Sequence, residues 1–468
     1  MIEFCKYGLE EIKSFLPYFK KEEVHSCDYT LGIKYMWKKY FSSMYAIKDN
    51  TLTIKEVYDG AKYSFYYPIG ENVDGMFNEI INYQLNNLTQ NLEFCCVDDK
   101  HLDDLKVRFP HGEVYFNDDW SDYLYLNKNF QTFAGGSYSN KRHHVKQFQK
   151  LYPETVFRKC VGCDKNKLVD FMLKFEQTKE VTSQEAINEF NEAMELARHY
   201  DELGFDCFFL EHKGQIIAVS ICEVINDCVY DHIEKALREY TSIYPYFVQQ
   251  IANFYSGIEY FNREDDSGDP GLRYSKQDYH PTKMVHKNMY YVNNNLDLLL
   301  EIPLIEVDEH IKICKLKEED KEQYFNLNID EQLNKYWGYD YKKDLGNNEL
   351  NANYFLNMVQ EDFRKKEYFS FIIKKDNVLI GEIVLSEPTQ DNGVEIGYRL
   401  IEAEQHKGIM TSCLSKVITY LKDSLKLKYL SAKCFLENKD SEKILEKLNF
   451  TYSNSDEVFN HYFLDLNN

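Results

Sequence analysis

The stretch GVEIGYRLIEAEQHKGIMTSCLSKVITYLKD, residues 393–423, decides how this sequence reads. GVEIGYRL has the apolar content and alternation of a strand. A loop with Gln405 and Gly408 follows. Apolar residues then recur at Met410, Cys413, Leu414, Val417, Ile418 and Leu421, which is helical spacing. A strand that enters a helix through a glycine loop presents several free backbone N–H groups, and the helix dipole adds partial positive charge there. That arrangement suits a pyrophosphate, with Lys407 as a further charge contact. A plain strand–helix turn is the competing reading from spacing alone.

The rest of the chain sets bounds on this site. Its 468 residues correspond to about three compact units. Apolar residues are 44% and charged residues 28% of the total, which places the chain among ordinary globular proteins rather than fibrous or disordered ones. No apolar run reaches the length of about 18 residues needed to cross a bilayer. The opening MIEFCKYGLEEIKSF lacks a basic segment followed by an apolar one, so no secretory signal is read and a cytoplasmic location is expected. The net charge is −22, and the chain is acidic both before and after residue 305. Phosphate affinity needs a Lys/Arg surface, so nucleic acid and anionic membrane are not expected partners. An amine-bearing substrate suits an acidic protein. Twelve cysteines are scattered without a secretory context, as in a reducing compartment. Cys160 and Cys163 have metal-like spacing but no second Cys/His pair nearby. They are read as a strand end running into a helix near Asp164, and no metal is expected.

Helical and strand-like patterns alternate throughout, so the expected class is α/β, with α+β mixed sheets. Strand-like runs occur at SMYAIK, TLTIKEVY, KYSFYYP and LEFCCV, with an amphipathic helix from Val73 to about Leu88. CFFLEH, QIIAVSICEVI and CVYDHIEKAL follow as strands, and a helix is read near Ser242 to Tyr255. FSFIIKKD and VLIGEIVLSEP read as a hairpin around Asp376 and Asn377. Periodicity fails in VNNNLDLLLEIPLIEVDEH, where the Asn293–Asn295 run and Pro303 place the main boundary near residue 304.

GYRLIEAEQHKGIMTSCL resembles the acetyl-CoA signature of the GNAT acyltransferase superfamily, Q/R-x-x-G-x-G/A, here Gln405, His406, Lys407, Gly408, Ile409 and Met410. It is most similar to the branch of the ribosomal-protein serine/alanine N-acetyltransferases, with His406 in place of a usual glycine. CFLENKDSEKILEKLNF resembles the family's N-x-x-S-x-x-x-L-x-K-L-G-F ending through Asn438, Ser441, Leu445, Lys447, Leu448 and Phe450, with Asn449 where glycine is usual. The resemblance covers about residues 310–465. It implies that GVEIGYRL splays from LKYLSAKCF, leaving main-chain groups near Leu400 and Ile401 for the pantetheine arm. It also implies that Gln405, His406, Lys407, Gly408, Ile409, Met410 and Thr411 hold the pyrophosphate, and that Asn438 orients the cofactor. The resemblance further implies that the acceptor amine attacks the thioester directly. Glu395 is the candidate base, with a structural salt bridge as its competing role, and Ser441 is the candidate donor to the thiolate, with helix capping as its alternative. Many relatives use tyrosine where Leu445 stands. Trp337 and Tyr339 are candidates for the acceptor pocket or for a core patch.

Before residue 304, His232 and Glu234 lie two apart and so on one face of a strand. Such a pair performs acid/base work, holds an amine, or is structural. The loop YFNREDDSGDPGLRYSKQDYHP, residues 260–281, lacks the ligand spacing of an EF-hand, and its charges are expected to pair with one another. GGSYSNKRHHVKQF, HIEKA and NREDDSGDPGLRYSKQDYHP resemble, in this order, the bacterial domain related to the C-terminal region of phosphatidylglycerol lysyltransferases. That resemblance implies two successive GNAT-like lobes and a pocket of Arg142, His232, Glu234, Asn262, Arg263, Glu264, Asp265, Gly268, Arg273 and Lys276. Neither lobe carries the Q/R-x-x-G-x-G/A signature.

Three successive GNAT-like lobes are therefore expected: 1–135 and 136–300 in tandem, and 301–468 as the acetyltransferase. The expected activity is acetyl-CoA-dependent N-acetylation of a small-molecule or peptide amine, with ligand recognition in the tandem lobes. The alternatives are aminoacyl transfer from aminoacyl-tRNA, for which the run Lys141–Lys146 is the one basic hint, and non-catalytic ligand binding.

Overall fold

A computed structural model describes residues 2–58, 60–177, 184–346 and 348–467. The chain gathers into two compact units. Unit 1 comprises Met1–Glu79, Glu93–Leu102 and Tyr115–Met289; unit 2 comprises Ile80–Leu92, Asp103–Val114 and Tyr290–Asn468.

In unit 1 one sheet orders Cys5–Lys6, Met44–Lys48, Thr51–Tyr58, Lys62–Phe65 and Leu92–Val97, antiparallel except at the last pairing. A second sheet orders Lys283–Val285, Asp122–Leu126, Tyr260–Asn262, Cys228–Ala236, Gln215–Ile225, Asp206–His212 and Thr155–Lys159. Among the described residues, only Cys228–Ala236 and Tyr260–Asn262 pair in parallel there. Asp122–Leu126 belongs to this second sheet although it precedes the lobe boundary expected at 135. Glycine- and proline-poor apolar runs such as QIIAVSICEVI make strands covered on both faces: Ile217 and Val219 on one face and Ala218 and Ser220 on the other are wholly buried.

Unit 2 holds one mixed sheet in the order Ile305–Glu306, Ile311–Cys314, Tyr368–Lys375, Val378–Ser386, Gly393–Leu400, Tyr429–Phe435, Phe459–Asp465, Thr451–Ser455. The hairpin at Asp376 and Asn377 forms as read. Both residues are left-handed (φ 48° and 69°), the pair of positive angles a two-residue type I′ turn needs. The helix after the loop runs Ile409–Asp423 and buries Ile409, Met410, Cys413, Leu414, Val417 and Leu421 against the sheet. Each fully buried aliphatic side chain contributes roughly 1.5–3 kcal/mol. Gly393–Leu400 and Ile409–Asp423 are thereby fixed at the two ends of the loop.

Compact unit 2 takes in Tyr290–Asn468, so its packing begins before the boundary read near residue 304. The Asn293–Asn295 run is no linker. Asn294 Nδ2 donates to the carbonyls of Thr389 and Gly393 at 2.9 Å, and Asn295 Nδ2 donates to that of Leu425 at 2.8 Å. Polar residues that break periodicity also serve as buried donors to loop carbonyls, and here they do.

Candidate functional site: a split strand pair and an amide ring

In unit 2, Gly393–Leu400 and Tyr429–Phe435 run parallel but pair only at Gly393–Tyr429, Val394–Leu430 and Glu395–Ser431. Beyond Glu395 they part. Ile401 N–H donates back to the Ile380 carbonyl at 2.8 Å. By strand alternation, the main-chain groups of Ile396, Tyr398 and Leu400 then face the gap. Two expectations are corrected here. Ile401 has no free N–H, and the Leu400 carbonyl accepts from Gln405 Nε2 at 2.8 Å, so Gln405 braces the loop from within.

The loop turns on two left-handed residues, His406 (φ 58°) and Gly408 (φ 79°). Histidine tolerates this region better than most residues, which is how the chain dispenses with glycine at 406. At Gly408 a Cβ would meet no atom within 4 Å, so the approach to the helix start is open. The first N–H groups of a helix have no partner within it. Among the described residues the amides of 406–411 donate to no backbone or side-chain acceptor, while Gln405 N–H is taken by Glu402. This cradle of amides fits a pyrophosphate. Lys407 Nζ lies 3.2 Å from Glu404, which also pairs with Lys375; its charge is shared, not free. His406 is exposed, 3.9 Å from Asp440.

Glu395 stands on the last paired rung, at the mouth of the gap. Lys433 binds it at 2.8 Å and reaches Glu387 at 3.5 Å. The competing salt-bridge role is thus formed, and the hydrogen bond to Glu395 pushes the Lys433 ammonium up. Asn438 caps the helix Lys439–Lys447, its Oδ1 accepting Ser441 N–H at 3.2 Å, which leaves its Nδ2 to donate to a ligand. Ser441 Oγ lies 2.8 Å from Tyr398 Oη. Leu445 is buried in the core. On the other face of the splayed strand Trp337 lies 3.7 Å from the place a Cβ on Gly397 would take, and the Arg399 guanidinium stacks 4.5 Å from its ring. Arg399 itself is held by Glu382 and Asn328. Tyr339 hydrogen-bonds Met358 Sδ.

In unit 1 the residues expected in a pocket fall into three groups. His232 is fully buried between Glu264 (Nδ1, 2.8 Å) and Glu223 (Nε2, 3.0 Å). Burial opposes its charge, but the hydrogen bonds to the two carboxylates prevail and lift its pKa to about 10. Gly32 admits it: a Cβ there would lie 2.3 Å from Nε2. Lys276 donates to the Arg263 and Asp265 carbonyls, and burial pushes its ammonium down. Arg263 pairs with Glu234 and stacks on Tyr279 at 4.8 Å. Asn262 bridges the His25 carbonyl and Asp122. These form one buried polar set. Arg273 pairs with Asp266 and Asp119 at a partly exposed position, Gly268 turns the same loop at φ 78°, and Arg142 donates to the carbonyls of Phe133 and Gly135. Among the described residues, Arg142 and Arg273 make no hydrogen bond or ion pair with His232 or its two glutamates.

The sequence reading missed Lys287, which lies 2.7 Å from Asp122, 3.1 Å from Asp28 and Asp265, and 3.3 Å from Cys27 Sγ. Cys27, Asp122 and Asp265 converge as metal-type donors, and the Lys287 ammonium stands among them. Lys34, with Glu56 at 2.9 Å and Tyr66, extends the buried ionic set. Lys141 is likewise committed, to Asp278 and the Tyr279 ring. The side chain of Cys163 lies outside the described residues. Among the described residues, no helix is long and apolar enough to cross a membrane.

Family models match the chain twice: "Phosphatidylglycerol lysyltransferase, C-terminal" over residues 19–291, and "Acetyltransferase (GNAT) domain" over residues 310–451. The uncharacterized N-acetyltransferase YjdG of Bacillus subtilis (strain 168) is 29% identical over 112 residues, 23% of this chain and 67% of that protein. The uncharacterized N-acetyltransferase p20 of Bacillus licheniformis is 37% identical over 83 residues, 18% of this chain and 47% of that protein. A crystal structure of a conserved protein of unknown function from Bacteroides thetaiotaomicron VPI-5482 has a TM-score of 0.57 at 22% identity, covering 62% of this chain and 99% of that one, a likeness of fold.

Proposed function

We propose that this chain, which belongs to the phosphatidylglycerol lysyltransferase C-terminal family and carries an acetyltransferase (GNAT) domain after that region, is an acetyl-CoA-dependent N-acetyltransferase acting on a primary amine. Acyl transfer is the chemistry its second domain shares with its relatives. The observation that carries the finer reading is the parting of the strands beyond Glu395–Ser431 next to an amide ring with no acceptor of its own.

Acetyl-CoA, when bound, supplies an activated acetyl group as a thioester. The amides of 406–411 hold its pyrophosphate with the help of the helix dipole. The gap-facing main chain of Ile396 and Tyr398 pairs with the pantetheine arm as a missing strand would. Glu395 orients the acceptor amine and takes its proton through water, with Lys433 holding the carboxylate in place. Ser441 aims its hydroxyl at the sulfur that leaves. Unit 1 binds the ligand that selects the acceptor. Its buried ionic set favours this role, because Glu234 Oε1, Arg263 Nη1 and Asp231 Oδ2 have no hydrogen-bond partner among the described residues, and such orphans cost about 1–3 kcal/mol each unless a partner arrives. Aminoacyl transfer is the second reading, favoured by the family match over residues 19–291.

Calorimetric titration with acetyl-CoA tests the first reading, followed by thiol release with a panel of primary amines. One site per chain is expected, lost in Gly408→Trp. Heat from aminoacyl-tRNA and none from acetyl-CoA would shift the assignment to the second.

A further inference from the structure

We propose that Tyr398 is a positioning residue: its phenol fixes the rotor of Ser441 so that the serine hydrogen points into the gap, at the sulfur of bound CoA. This rests on the acyl-transfer reading of the cleft and adds to it a residue from the opposite wall. Tyr398 lies on the splayed strand, three residues past the last paired rung, and Ser441 lies on the helix that follows the other strand. Their side chains therefore meet across the gap, Oη to Oγ at 2.8 Å. The phenol has one hydrogen and two acceptors in reach, Ser441 Oγ and the Ser441 carbonyl at 3.2 Å.

A serine hydroxyl has one hydrogen and two lone pairs. When the phenol donates to Oγ, the serine hydrogen has no return path to the phenol and is directed elsewhere. The serine's own N–H is already occupied by Asn438, which holds the Cα–Cβ bond in place from the other side. Burial pushes the phenol up, so it remains a donor and does not ionise near neutrality. The neighbouring titratable groups Cys434 and Tyr462 are also pushed up by burial and stay neutral; the Cys434 thiol is itself a side-chain hydrogen-bond partner of Ser441, and the charged neighbours are Lys439 and Glu442, the latter accepting from Tyr462 Oη at 3.3 Å. With leucine at position 445, buried at 1% exposure, that helix offers no phenol of its own there. Tyr398 compensates from the strand.

An oriented hydroxyl stabilises a thiolate by a charge-assisted hydrogen bond. The test is the acidity of the CoA thiol bound to the full-length protein, read from thiolate absorbance across pH, with desulfo-CoA as the subtracted blank. The unidentified acceptor is not needed. In wild type the bound thiol should ionise about one pH unit below free CoA, a tenfold gain in thiolate. Tyr398→Phe should remove most of that shift and change the Kd for CoA less than about threefold, well under the 1.4 kcal/mol that a tenfold change represents. Ser441→Ala should remove it entirely, and the double variant should match Ser441→Ala alone, because Tyr398 acts only through the serine. A Tyr398→Phe thiol as acidic as wild type, or a double variant whose loss is the sum of the two, overturns the positioning role. Failure of wild type to bind CoA overturns the acyl-transfer reading, and this inference with it.

Discussion

At the scale of single residues the cleft depends on Gly408. Its backbone is left-handed at φ 79°, where an L residue is strained by about 1–2 kcal/mol. A Cβ there meets nothing in the protein, so strain and occlusion are separable. Gly408→Ala should fold with a stability loss of about 1 kcal/mol, whereas Gly408→Trp should fold comparably yet weaken acetyl-CoA binding more than tenfold in calorimetry, a loss of at least about 1.4 kcal/mol. Equal affinity for wild type and tryptophan variant would remove the phosphate from this loop. Glu395 separates two roles in the same way. Its pair with Lys433 is partly exposed, and such pairs contribute about 0–1 kcal/mol. Glu395→Gln should therefore leave thermal stability nearly unchanged and slow acetyl transfer to whichever amine the panel selects, with acetyl-CoA affinity retained. An unaltered turnover would leave Glu395 a structural salt bridge. Leu445, buried on the helix that bears Ser441, carries no chemistry, and Leu445→Ala should cost about 2–5 kcal/mol in chemical denaturation.

At the scale of elements the split strand makes a sharper prediction, because alternation assigns each amide a side. On adding acetyl-CoA, hydrogen exchange should slow at Tyr398 and across 406–411 and stay as it was at Ile401, whose N–H is already spent on Ile380. Uniform slowing along the strand would indicate general tightening and not a ligand filling the gap. Much of this was legible beforehand. GVEIGYRL, the glycine loop and the 3.6-residue period of the following helix are local signals, and the observed elements Gly393–Leu400 and Ile409–Asp423 follow them closely. The register was not legible: whether Ile401 or Tyr398 faces the gap depends on which residue pairs with Ile380, a long-range fact. For the same reason no local signal singles out Tyr398; its role depends on Ser441, which the fold brings opposite it. In unit 1, His232 and Glu234 share a strand and were visible as a pair. Yet the partners of His232 are Glu223 and Glu264, from a neighbouring strand and a distant loop, and no spacing rule connects Lys287 with Asp28 and Asp122.

At the scale of the whole molecule, each unit has its own core, and the two should respond to different solution variables. Acetyl-CoA should act on unit 2, and pH near neutrality on unit 1. Two buried histidines of unit 1 are charged in the fold: His232, lifted to about 10, and His101, lifted to about 9 as hydrogen bonds to Asp98 and Glu22 outweigh burial. In the unfolded chain both titrate near 6.5. A raised folded pKa means that the native state binds the extra proton, so the stabilisation is complete below pH 6.5 and is lost as pH rises toward 9 and 10. Each group contributes a slope of up to about 1.4 kcal/mol per pH unit. Above pH 8 the effect is opposed by Lys38, whose ammonium burial pushes down to about 8, since folding then favours its neutral form. Between pH 6.5 and 8 that opposition is absent, and buried Asp231, its carboxyl pushed well up by burial, adds to the histidines' slope. Unit 1, followed by hydrogen exchange in its own segments under mild denaturant, should lose stability across that window. His232→Gln should lower its stability at pH 6.5 and flatten the slope, because the variant no longer carries the proton that His232 holds in the fold. A wild-type stability independent of pH over this interval would mean that His232 is buried neutral, and the ionic set around Glu223 and Glu264 would then hold its proton elsewhere.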